Sequence, residues 1–254
     1  MLEISNVTKR FGGLTAVNDV SSTVAAHQIT AIIGPNGAGK TTFFNLISGM
    51  HRPTSGTIRL EGLDITRFRA DQVAQSGVAR TFQSTTLFDM ATVLDNLIVG
   101  HRLRTRSGLL DVLIQSKRLQ REEAICREKA AAALDFVGIP HVGDRLAGDI
   151  TQEERKRVAF ALALSTDPKL LLLDEPAGGL NPDETVRLSQ LIRKILKSGI
   201  TVCLIEHKMD MIMQLADKII VLNYGAKIAE GTPEEIRNNP AVIDAYLGSD
   251  HAEA

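Results

Sequence analysis

Short apolar runs alternate with amphipathic ones along this chain. Leu2, Ile4 and Val7 predict a first strand, with a turn at Phe11-Gly12-Gly13. Leu14 to Val24 and Gln28 to Ile33 predict two more, so the start of the chain is β-rich. Phe43, Phe44, Leu46 and Ile47 then recur at helical spacing. That helix ends near Gly49, Pro53-Thr54-Ser55-Gly56 is a turn, and Thr57 to Gly62 reads as a strand closing on a hairpin. Val78 to Phe82 is a further short strand, ending at Gln83. From about Leu87 to Thr166 the pattern turns helical. Within it, Arg118 to Val137 predicts an amphipathic helix with Ile125, Cys126, Ala133, Leu134 and Val137 near one face, stopped by Gly138 and Pro140.

Strands return after this block. Leu170 to Leu173 is apolar throughout and suits a central parallel strand buried on both faces. Thr201 to Ile205 predicts another buried strand. Lys218 to Leu222 and Lys227 to Glu230 predict a hairpin around Asn223-Tyr224-Gly225. Thr232 as N-cap, Pro233 in the first turn and Glu235 closing a capping box predict a helix start. A helical block inserted between strands implies a second lobe. The expected division is residues 1–85 with 167–254 in one lobe and about 86–166 in the other.

Bulk properties narrow the function classes. At 254 residues the chain is one large domain or two small ones, and 44% hydrophobic residues suffice for a core. The net charge of −1 offers no broad basic field, so no nucleic acid partner is expected. Cys126 and Cys203 lie far apart without Cys-x-x-Cys spacing and read as thiols in a reducing compartment rather than metal ligands. Met1 to Ser5 lacks the blocks of a signal peptide, and no apolar run approaches membrane-spanning length. Any membrane role is therefore expected to run through a partner. Arg102, Arg104 and Arg106, near Gly108, form either a solvated loop or a contact for a partner or lipid headgroups.

Two stretches carry chemistry. Gly34-Pro35-Asn36-Gly37-Ala38-Gly39-Lys40-Thr41-Thr42 reads Gly-x-x-x-x-Gly-Lys-Thr, a P-loop, and the predicted strand and helix flank it as that motif requires. Its glycines let several backbone N–H groups converge on one anion, and the helix N-terminus adds its positive dipole end. Lys40 can reach the β- and γ-phosphates, and Thr41 can place its hydroxyl on Mg²⁺. The second stretch, Leu173-Asp174-Glu175-Pro176, puts two acids at the carboxyl end of a parallel strand, where open sheets bind ligands. Asp174 can hold Mg²⁺ through water, and Glu175 can act as general base on the attacking water. His207 follows another strand and suits a γ-phosphate contact. Gln83 is either a polar ligand to Mg²⁺ or water, or a solvated glutamine. Phe11 either stacks on an adenine ring or plugs a turn.

In this order Phe11, the P-loop, Gln83 in Thr-Phe-Gln, Asp174-Glu175 and His207 in Ile-Glu-His resemble the ATP-binding subunits of ABC transporters over nearly the whole chain. Ala177-Gly178-Gly179-Leu180-Asn181-Pro182, Glu206-His207-Lys208-Met209 and the segment from Gly231 to Pro240 with Ala245-Tyr246-Leu247-Gly248 are most similar to the ATPase subunit of branched-chain amino acid importers. The resemblance implies an α/β P-loop fold with a mixed core sheet, an N-terminal antiparallel β-subdomain and an inserted helical subdomain. It implies an ATPase using ATP and Mg²⁺, peripheral on the cytoplasmic face of the membrane. Its expected partners are two transmembrane permease subunits, a second ATPase subunit and, indirectly, a substrate-binding protein. ATP would lie between the P-loop of one ATPase and the signature segment of the other. Other readings are an ABC ATPase for an amide, urea or lipid cargo, a non-transport ABC switch, and a P-loop kinase or purely regulatory nucleotide binder.

One segment departs from the family. Its signature is close to Leu-Ser-Gly-Gly-Gln, and the register set by Asp174 and Ala147-Gly148 puts Ile150-Thr151-Gln152-Glu153-Glu154 there. Thr151 keeps a hydroxyl, whereas Glu153 replaces a glycine expected to approach the partner's γ-phosphate. A like-charge pair at ~5 Å and an effective dielectric of about 20 costs on the order of 3 kcal/mol. Falling only on the transition state, that slows turnover roughly a hundredfold. The same residues make a good capping box for the helix that follows. The expected pairing is therefore with a different ATPase chain carrying an intact signature.

Overall fold

The computed structural model describes residues 1–81, 87–102 and 116–250, with the side chains of 101–102 and 247–250 left aside. The chain divides into two compact units, Met1–Arg80 with Lys169–Ala254, and Thr81–Pro168.

In the first unit, β1 (Leu2–Phe11), β2 (Leu14–Val24), β4 (Ser55–Leu60) and β5 (Leu63–Asp64) form an antiparallel sheet in the order β2-β1-β4-β5. A second sheet has the order β10-β9-β3-β8-β7-β6, from β3 (Ile29–Ile33), β6 (Val78–Thr81), β7 (Leu170–Asp174), β8 (Thr201–Ile205), β9 (Lys218–Asn223) and β10 (Ala226–Gly231). β3 runs parallel to β8 and β9, and β7 parallel to β8, while β10 closes the edge antiparallel to β9. Every residue of β3, β7 and β8 is buried, which is why these strands read as unbroken apolar runs rather than alternating ones.

Helix α1 (Lys40–Ile47) follows β3 and buries Phe43, Phe44, Leu46 and Ile47. These side chains share one core with Leu2, Ile4, Ile58 and Leu60 of the antiparallel sheet and Leu170, Leu172, Cys203 and Ile205 of the parallel one. The start of α1 is thus held by both sheets. Short α2 (Ala70–Gln75) precedes β6, α6 (Pro182–Lys197) connects β7 to β8, and α7 (Met209–Leu215) connects β8 to β9. After β10 come α8 (Pro233–Arg237) and α9 (Pro240–Asp250), α8 entered through the Thr232–Glu235 capping box.

The second unit is helical: α3 (Val93–Arg102), α4 (Lys117–Phe136) and α5 (Gln152–Leu164), with short 3-10 turns at Pro140–Val142 and Ala147–Asp149. α4 buries Cys126, Ala130 and Leu134, spaced four apart, with Val137 just beyond its end. Ile125, expected on that face, is exposed. The buried stripe runs through its neighbour Cys126, and one residue turns a helical side chain by about 100°. Both cysteines are buried free thiols, and burial pushes Cys203 up to about 12. Among the described residues no helix is long and apolar enough to cross a membrane.

Candidate functional site

Backbone contacts that only glycine permits hold the loop between β3 and α1. Gly34 has φ of 149°, and a Cβ there would lie 2.0 Å from the Leu222 carbonyl oxygen. Gly39 has φ of 95°, and its Cβ would lie 2.3 Å from the Ala16 carbonyl oxygen. The turn between β9 and β10 braces the loop further, since Gly225 N–H donates to the Ala38 carbonyl at 3.0 Å. The half-buried Tyr246 of α9 accepts a hydrogen bond from the Gly34 backbone, and burial raises its phenol against that bond.

Gly39 is also the N-cap of α1, so no side chain caps the helix, and no acid stands in its first turn. The first N–H groups are left for another acceptor. Lys40 is buried and folded back, its Nζ donating to the carbonyls of Gly34 at 2.7 Å and Pro35 at 2.9 Å. Burial lowers its pKa, and the charge of Glu175 works in the opposite direction. Asn36, Gly37 and Thr41 are exposed at the rim, while Thr42 is half-buried.

The two acids stand at the tip of β7. Asp174 pairs in register with Ile205 of β8, and the Glu175 N–H donates to the Ile205 carbonyl at 2.9 Å. Glu175 has φ of 47°, a strained value for a residue with a side chain. Its Oε1 lies 3.0 Å from Nε2 of His207. Asp174 Oδ2 accepts from Arg80 at 2.7 Å, whereas its Oδ1 is buried without a hydrogen-bond partner. Orphaned carboxylate oxygens of this kind suit a hydrated divalent cation, with Thr41 as a hydroxyl donor at the start of α1. Among the described residues no group of three or more His, Cys, Asp or Glu side chains could hold a metal by itself.

Glu206, Arg80 and Tyr246 received no role from the sequence pattern. Glu206 is buried; its Oε1 accepts from the Ala177 N–H at 2.7 Å and its Oε2 from the His207 and Lys208 N–H groups at 2.7 and 3.2 Å. It pins the segment after β7 to the segment after β8. Lys208 adds a second tie, donating to the Leu180 carbonyl and the Thr185 hydroxyl. The available signal was a charged residue directly after an apolar strand, an expensive position unless it is paired.

Phe11 ends β1 and is 42% exposed, with Lys9 Nζ 4.8 Å from its ring centroid and His51 edge-on at 5.3 Å. Gln83, Arg104, Arg106 and Gly108 lie outside the described residues, as does the side chain of Arg102. In the helical unit, Thr151 caps α5 and Glu154 returns the bond, completing the capping box. Glu153 is paired with Arg157 at 3.1 Å, and Arg157 also donates to the Val137 carbonyl at 2.7 Å. The Arg157 guanidinium reduces the repulsion expected of Glu153 and leaves its side-chain bulk.

Comparison with known proteins gives the family. The ABC transporter family profile matches residues 17–178. The branched-chain amino acid ATP-binding cassette transporter profile matches residues 226–252, which include Tyr246. The chain is 44% identical over 249 residues to the high-affinity branched-chain amino acid transport ATP-binding protein BraF of Pseudomonas aeruginosa, covering 98% of each. It is 41% identical to LivG of Escherichia coli over the same length and share. Among solved structures it is similar to the ADP conformation of MJ1267, an ATP-binding cassette of an ABC transporter, with a TM-score of 0.86, 33% identity and 98% of each chain covered. The P-loop unit, the acids of β7 and the C-terminal segment therefore carry one conclusion: the chain belongs to the ABC transporter family of ATP-binding cassettes, in the branch with the branched-chain amino acid cassette C-terminus.

Proposed function

We propose that the chain is the ATP-hydrolysing subunit of an importer for branched-chain amino acids. The cargo rests on the likeness to BraF and LivG, and one observation supports the ATP-hydrolysing role most. Lys40, at an uncapped helix start, feels the charge of Glu175, and Glu175 lies 3.0 Å from His207. Nucleotide phosphates would replace the Gly34 and Pro35 carbonyls as partners of Lys40 and take the free N–H groups of α1. Glu175 would accept a proton from the attacking water as the oxygen of that water bonds to the γ-phosphorus and the bond to the β-phosphate oxygen breaks. His207 would orient Glu175 and contact the γ-phosphate. Mg²⁺, when bound through Asp174 and Thr41, would neutralise charge on the β- and γ-phosphates.

The partners in this reading are two permease subunits and a second, different ATPase chain, on the cytoplasmic face of the membrane. The P-loop unit of this chain would work with the partner's signature. The partner's ATP would meet Ile150 to Glu154, and that site would be the slower one. Replacing Glu175 with Gln tests the assignment: turnover should fall about a thousandfold while ATP binding is kept. Normal turnover in that variant would overturn the role of Glu175.

A further inference from the structure

We propose that Arg80 is a positioning residue for the divalent cation: it holds one oxygen of Asp174 in place and leaves the other for the cation's water shell. The proposal rests on the nucleotide-site reading above.

The guanidinium is a three-way brace. One terminal nitrogen donates to Asp174 Oδ2 at 2.7 Å. The other donates to Asn45 Oδ1 at 2.6 Å and Ser48 Oγ at 3.0 Å, both on the second half of α1 or its C-cap. The guanidinium carbon sits 5.7 Å from the Phe44 ring centroid. The Arg80 and Asp174 side chains are each 6% exposed. Arg80 therefore ties the tip of β7, which carries Asp174, to the helix that begins with Lys40 and Thr41. Ser48 is itself anchored on the Phe44 carbonyl at 2.8 Å, so the brace is rigid at that end.

A buried ion pair is weak support for a purely stabilising role, because desolvation offsets much of its attraction. The pair here has an unequal result: Oδ2 is committed and Oδ1 is left without a partner. Groups that orient a metal-binding carboxylate act in this way. A planar fork can serve three acceptors at fixed angles, whereas a lysine ammonium is a point charge on a flexible stem. The sign of the effect separates position from charge. As a mere positive charge, Arg80 would repel the cation, and losing it would tighten binding. As a brace, losing its fork weakens binding even when the charge is kept.

The test uses the full chain, a non-hydrolysable ATP analogue and Mn²⁺, with free Mn²⁺ counted by electron paramagnetic resonance. Arg80→Lys should raise the Mn²⁺ midpoint by about tenfold or more, with affinity for the analogue in EDTA unchanged. The Asn45→Ala, Ser48→Ala double variant keeps the ion pair but frees the other end of the fork, and should raise it by about threefold. If Arg80→Lys does not fold, the double variant decides alone. An unchanged or lowered midpoint in the folded variants overturns the proposal. Failure of the wild-type chain to bind the analogue in EDTA or in Mn²⁺ would instead overturn the nucleotide-site reading beneath it.

Discussion

Helices α1 and α5 begin in opposite ways. At α1 the cap is a glycine, no side chain takes an N–H, and no acid stands in the first turn. At α5 the Thr151 hydroxyl takes the Glu154 N–H, Glu154 returns to the Thr151 N–H, and Glu153 and Glu154 fill the first turn. Both face the same problem, the unpaired N–H groups that every helix start leaves. α5 solves it internally and gains a stable start. α1 leaves it unsolved and gains a place for an anion. A phosphate-binding helix start is thus one from which the usual stabilising residues have been withheld, and a motif is as informative for what it omits as for what it contains.

Between the two helix starts, the largest effect should come from closing the open one. Gly39→Ala forces a side chain into a positive φ and against the Ala16 carbonyl, and ATP affinity should fall by about a hundredfold or more. Equilibrium binding of a fluorescent ATP analogue measures this, and near-normal affinity would show that the backbone path of the loop matters less than its side chains. Next comes the converse change. Glu153→Gly removes the bulk and first-turn charge from α5, and steady-state hydrolysis by the purified chain should rise by about tenfold. Fast wild-type turnover that the change does not alter would favour a competent homodimer. It would also mean that the Arg157 partner of Glu153 already cancels its effect.

The smallest effect is a pH dependence confined to α5. Burial raises the Glu154 carboxyl pKa, but the bonds to Thr151 and the groups of His141 and Arg145 outweigh it, so the net shift is downward. A depressed carboxylate pKa contributes stability above the unfolded value that is lost as pH falls through the folded one. Amide exchange at the start of α5 should therefore speed up as pH falls below the ordinary carboxylate range, after correction for intrinsic rates. The start of α1, which has no such acid, should not follow it. Parallel behaviour at the two starts would remove the contrast between them.

Much of this was legible because it is local. An apolar run, a glycine-rich turn and a helical repeat occupy one stretch from Ile29 to Ile47, and the two acids directly follow an apolar strand. The capping residues Thr151 and Thr232 are equally local, each paired with an acid three positions on. Where two readings differ by a single residue, locality is not enough. Ile125 and Cys126 are both apolar, and only packing against α3 and α5 decides which faces inward.

The sequence by itself determined the kind of chemistry: a loop that can wrap an anion, a lysine to meet it, and a pair of acids at a strand end. These depend on spacing along the chain and on residue type. Only the tertiary structure decided how the groups are held. Arg80 reaches Asp174 across 94 positions, Glu206 bridges to Ala177 across 29, and Tyr246 meets Gly34 from the far end of the chain. Such contacts follow from parallel strand order and register, which set Asp174 beside Ile205. The free energy of each depends on burial that no single segment can create, because a charged group becomes a precise brace only once the surrounding sheets and helices have excluded water from it.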